Sequence, residues 1–168
     1  MRLVGACVLL AACFGGISED GGGGDGGMRG PDARIVDVKG ILRTWSGCMT
    51  LANFQTANMT TAWSTLASSD GKTCQNCHSE GQYSFIATDD ETAFYSGISQ
   101  HSYFMLKYFL VDTANEKVTV NTTSFKTANS AIGHPKFNFT MNAGITALTS
   151  FYNATVANAA CGTPTMID

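Results

Sequence analysis

Apolar residues recur at helical spacing in two parts of this chain. Between Gly47 and Ala67, the residues Leu51, Phe54, Met59, Ala62, Trp63 and Leu66 follow one another mostly at steps of three and four. That is the period of a helix that buries one face. Ser46 stands where its N-cap belongs and Asp70-Gly71 where it stops. Near the C-terminus, Ile145, Leu148, Phe151, Tyr152 and Val156 form a second stripe, with Thr140 or Asn142 as cap and Gly162 as stop. Thr88-Asp89-Asp90-Glu91 has the form of a capping box for a helix from Asp90 to Ile98, with acidic residues in the turn where the helix dipole favours them. Leu106 to Asp112 and Lys117 to Asn121 alternate instead, around Thr113-Ala114-Asn115-Glu116, which predicts a β-hairpin. The pattern is that of a mainly α chain with one hairpin.

Composition narrows the picture. The chain has 168 residues and a formal net charge of −3. Neither Lys nor Arg clusters, so nothing in it suggests a nucleic-acid partner. The part beyond the N-terminal region is long enough for one core and too short for two. Arg2, then an apolar run from Leu3 to Ala12, has the order of a secretion signal, and it is far below membrane-spanning length. Leu10-Ala11-Ala12-Cys13 resembles the lipobox of bacterial lipoproteins. The resemblance implies removal of residues 1–12 and acylation of Cys13, so that a lipid anchors the protein to a membrane surface. Phe14, not an acid, follows the cysteine, which resembles the pattern of lipoproteins sent to the outer membrane. Residues 13–33 then form a tether: Gly21 to Gly27 is almost all glycine and is costly to order. About twenty such residues span roughly 25 Å. The domain proper is 34–168.

Cys74-Gln75-Asn76-Cys77-His78 is the most specific motif. Two thiols at this spacing can each add across one haem vinyl group, and the adjacent histidine offers its imidazole to the iron. Other readings of Cys-x-x-Cys fit less well. A thioredoxin-like site needs a βαβ setting, which the flanking pattern lacks. A zinc site needs a second ligand pair, and no further Cys-x-x-Cys or His-x-x-x-His is present. Cys7 falls in the removed segment and Cys13 takes the lipid. Cys48 and Cys161 are then left, and two such thiols are expected to pair in an oxidising compartment, joining the start of the first helix to the end of the last.

With this motif between two helices, the chain resembles the mono-haem, class I-like cytochrome c family over roughly Ser46 to Ala160. The resemblance implies a small helical domain around one covalent haem c, with the helix before the motif crossing the C-terminal helix. Two features depart from the family pattern. Residues 68–73 separate the first helix from the motif, and the hairpin is an insertion. In the family a loop ahead of the last helix supplies the second iron ligand. Candidates are His134, His101, Met141 and Met105. His134 comes first because Pro135 biases it toward extended backbone, in a loop shortly before the last helix. A second histidine would lower the haem potential and a methionine would raise it. Four Asn-x-Thr triplets, at Asn58, Asn121, Asn138 and Asn153, read as polar surface in a bacterial chain.

The implied function is single-electron transfer between redox proteins, from a lipid-anchored position in the bacterial cell envelope facing the periplasm. The alternative is a haem enzyme or gas-binding sensor with an open distal iron site. No Ser-His-Asp or paired-carboxylate arrangement points to other chemistry, and a peroxidase-type cytochrome of this group would carry a second haem motif.

Overall fold

The stretch read as one helix over 47–67 is broken, and another helix precedes it. The computed structural model describes residues 37–138, 142–158 and 160–168; the signal segment, Cys13, the tether and Met141 lie outside them. Helix α1 (Val38–Cys48) begins at Asp37, whose carboxylate accepts the Lys39 amide at 2.9 Å. Ser46, expected as a cap, is buried within this helix. Thr50 starts α2 (Leu51–Thr56) instead, its hydroxyl accepting the Asn53 amide at 3.1 Å. Asn58, at φ 57°, then turns the chain into α3 (Met59–Ser64). Asparagine visits the left-handed region at less cost than most residues. Helix α3 ends six residues before Asp70, and an Ala67–Thr73 bridge closes the intervening turn.

The haem-type motif forms the single helical turn α4 (Gln75–His78). Helix α5 (Glu91–Gln100) starts at Asp90, not Thr88. The Asp90 carboxylate accepts the Ala93 amide at 2.9 Å, and the Thr88 hydroxyl accepts the Asp90 amide at 3.2 Å. Helix α6 (Ser102–Tyr108) takes the first residues assigned to the hairpin. The hairpin itself is β1 (Phe109–Asp112) against β2 (Lys117–Val120), antiparallel, with Phe109 opposite Val120. Helix α7 (Thr122–Ser130) has no counterpart in the apolar pattern. Asn121 caps it, accepting the Ser124 amide at 3.0 Å while its Nδ2 donates to Leu106 O. Read as polar surface, Asn121 is buried. Asn142 caps α8 (Ala143–Val156), whose inner face is Gly144, Ala147, Leu148, Phe151 and Thr155; Val156 is exposed. The chain is mainly helical with one two-stranded sheet. Among the described residues no helix is long and apolar enough to cross a membrane.

Two aromatic groups make the core. Phe54 meets Phe94, Tyr95 and Phe151 at ring separations of 5.3–5.6 Å, joining α2, α5 and α8. Trp63 meets Phe125, Tyr108 and Phe85 at 4.9, 5.2 and 5.7 Å. Phe54, Phe94, Phe151, Trp63 and Tyr108 are fully buried, each contributing on the order of 2–3 kcal/mol, while Tyr95 and Phe85 are half-buried at the edge. The second group lies beside the motif.

The C-terminal residues fold back onto α1. The Ser46 hydroxyl accepts the Thr165 and Met166 amides, each at 3.1 Å, and Met166 is buried. Cys48 is disulfide-bonded to Cys161 across 113 residues, so the bond starts from the end of α1, not from the start of a first helix. Beside it the Gly47 carbonyl accepts the Gly162 amide at 2.8 Å, and a Cβ on Gly47 would lie 2.6 Å from Gly162 O. Backbone cannot move aside there as a side-chain tip can. Gly47→Ala is expected to destabilise by about 1–3 kcal/mol in urea unfolding; an unchanged midpoint would mean that the tail does not pack on α1.

Candidate haem site

The local chain explains why the motif forms one tight turn. The Cys74 carbonyl accepts the Cys77 and His78 amides at 3.3 and 3.0 Å. The Asn76 side chain turns back to accept the Thr73 amide and hydroxyl at 2.7 and 3.0 Å. One turn faces two ways: Cys74 is buried and Cys77 is exposed, both as free thiols. Burial pushes the Cys74 thiol up to about 12, so at neutral pH it stays protonated and is a poor nucleophile inside the closed domain.

His78 is half-buried. Its Nδ1 lies 2.8 Å from Gln82 O. A carbonyl only accepts, so Nδ1 carries the proton and Nε2 keeps its lone pair. Desolvation holds the ring's pKa below the usual histidine value; the Gln82 carbonyl opposes that shift and the facing His134 adds to it. Both influences that lower it favour the neutral form that can bind a metal. Gln82 is held by a strained turn. Gly81 has φ 82° and lies against the Phe104 ring with no room for a side chain, and Tyr83 and Ser84 both have φ 59°. The Phe85 ring stands edge-on to His78 at 5.0 Å and stacks on Tyr108 at 5.1 Å, and the Tyr108 hydroxyl donates to Ile86 O.

His134 reaches the same place from the segment between α7 and α8. Its ring centroid is 6.5 Å from that of His78, with planes 40° apart. Its Nδ1 lies 2.8 Å from Pro135 O, so by the same reasoning its Nε2 is also the free nitrogen. Cys77 and His134, with Ser69, Lys72, Pro135 and Lys136, line an open depression of about 390 Å³.

Two of the other distal candidates, His101 and Met105, go elsewhere. His101 joins α5 to α6, and its Nδ1 lies 3.0 Å from Asp168 Oδ2, while Asp168 Oδ1 accepts the Ser102 amide at 2.7 Å. Met105 is fully buried in α6 as core. The sequence reading missed Gln82, Phe85 and the aromatic group behind it. Phe85 and Tyr108 carried an apolar signal, but Gln82 acts through its backbone and carried none.

These residues fit a covalently held haem. Two imidazoles on opposite sides of one metal, with metal–nitrogen bonds of ~2 Å, have centroids on the order of 6 Å apart. A ligating histidine typically gives its other N–H to a carbonyl or carboxylate, as both do here. The Trp63 indole N–H, behind Phe85, is buried with no acceptor among the described residues, and a group bringing oxygens there would satisfy it. Among the described residues no three His, Cys, Asp or Glu side chains converge as a structural zinc site would need. No family model, curated protein or solved structure matches the chain.

Proposed function

We propose that this protein is a lipid-anchored, mono-haem c-type cytochrome that passes single electrons between redox proteins. One observation carries the reading. The histidine of Cys74-Gln75-Asn76-Cys77-His78 faces His134 at 6.5 Å between ring centroids, and each ring has Nδ1 tied to a backbone carbonyl. Haem c bound here would supply an iron that cycles between ferric and ferrous states.

The chain's own residues then have distinct tasks. Cys74 and Cys77 would hold the porphyrin through thioethers, which keeps a small domain from losing its cofactor. Because Cys74 is buried in the closed domain, its thiol would have to join before the chain closes. His78 and His134 would hold the iron through their imidazoles, and two histidines set a lower potential than a His/Met pair. Gln82 O and Pro135 O fix the tautomers and raise ligand basicity. Phe85, Trp63, Tyr108 and Phe125 keep water from the His78 side.

A cytochrome c-like arrangement is part of this reading. Its support is the packing of α2 and α3, ahead of the motif, against α8: a Cβ on Gly144 would lie 3.1 Å from the Trp63 ring. In the same proposal residues 1–12 are a signal peptide and Cys13 is acylated. Such an anchor would hold the domain at the periplasmic face of the envelope.

The reduced visible spectrum with and without carbon monoxide tests the function. Two protein ligands leave the iron closed, so the expected spectrum does not change on adding the gas. Rapid formation of a carbon monoxide adduct would favour the sensor or enzyme reading.

A further inference from the structure

His134 sits in a segment that has little packing of its own. Ile132 is fully exposed, Gly133 has φ 78°, and of residues 131–137 only Phe137 is buried. A ligand on such a segment needs another source of order. One side chain stands out. Asn129 Oδ1 accepts the Phe137 amide at 2.7 Å, and its Nδ2 donates to Phe137 O at 2.8 Å. The amide of one residue thus pairs with both backbone groups of another eight positions on, as a neighbouring strand would. Asn129 O also accepts Lys136 Nζ at 2.5 Å, and the same ammonium donates to Ala131 O at 3.1 Å. Inside the loop so closed, the His134 amide donates to Ala131 O at 3.3 Å. Lys136 O accepts the Ser69 amide at 3.2 Å, which ties the loop to the segment leading into Cys74.

We propose that Asn129 is a positioning residue that clamps the 130–137 loop shut and so keeps His134 opposite His78. The inference rests on the bis-histidine reading above and adds the element that holds its weaker half. His78 is fixed in sequence by the cysteines beside it, whereas His134 depends on a loop that Asn129 closes. Loss of the clamp lets the loop open while the haem stays bound through Cys74 and Cys77. The iron then spends part of its time without its second histidine.

The test uses the full-length ferrous holoprotein and carbon monoxide as the probe. His134→Ala is expected to bind the gas completely, and wild type negligibly. Asn129→Ala is expected to bind it at least tenfold faster than wild type and to show a partly high-spin ferric spectrum. Gly47→Ala separates this from general destabilisation: it weakens the fold away from His134 and is expected to leave gas binding at the wild-type rate. Where Asn129→Ala yields no holoprotein, Lys136→Met removes two of the bonds and is expected to change the rate in the same direction, by less. Wild-type behaviour of Asn129→Ala beside an open His134→Ala overturns the clamp alone. A closed iron in His134→Ala overturns the ligand assignment and the clamp with it.

Discussion

Replacing both Cys48 and Cys161 by Ser is expected to lower the free energy of unfolding by roughly 5 kcal/mol. The disulfide closes a loop of 113 residues, and the chain-entropy model assigns about that much to a loop of this length. A domain of this size has on the order of 5–15 kcal/mol in all, so the variant would sit near the threshold of folding. The position of the bond adds a second reason. Cys48 ends α1 and Cys161 opens the tail whose Met166 is buried and whose Thr165 and Met166 amides reach the Ser46 hydroxyl. Without the bond the tail must find that groove as a free end. The urea midpoint of the double variant, and of wild type under reductant, measures the effect. A loss under 1 kcal/mol would mean that the tail and helix contacts hold the ends together unaided.

The second large effect concerns Cys74, Cys77 and His78. Replacing both cysteines by Ala is expected to turn retained haem into haem that extracts completely. Either single variant keeps one thioether and should retain a reduced fraction. The two singles are not equivalent in the haem-free chain. Cys74 is a core side chain, so Cys74→Ala opens a small cavity and should cost about 1 kcal/mol of stability. Cys77 is exposed, and its Ala variant should cost nothing measurable there. His78→Ala should keep the covalent haem and lose the low-spin centre. Equal haem retention in the double variant and wild type would detach the motif from the cofactor.

How legible these features were depended on what carried them. Helix α8 and the hairpin follow from long periodicities bounded by a capping Asn142 and a polar turn, and both occur. The 47–67 stripe was real, but Thr50 and Asn58 carry stronger local signals, a cap and a left-handed turn, and they cut it into pieces. Helix α1 was missed, although Asp37 and the spacing of Ile41, Leu42 and Trp45 carried a signal for it. Helix α7 was not, because Phe125 is its one buried residue and a single position has no period. At the site, residue types announced the cysteines, His78 and the His134–Pro135 pair. Gln82 was silent because its contribution is a carbonyl that every residue possesses. Asn129 was silent because its partner is backbone. Asp168 claims His101 across 67 positions, a pairing that no local pattern contains.

The proposed cytochrome stands on a haem welded to this chain through Cys74 and Cys77. Treating purified wild-type protein with acidified organic solvent tests it most directly, since only non-covalent haem leaves under those conditions. The haem is expected to stay with the protein, and the protein's mass to equal the processed chain plus one haem. Haem appearing in the organic phase, or a chain of unmodified mass with both thiols free, would contradict it.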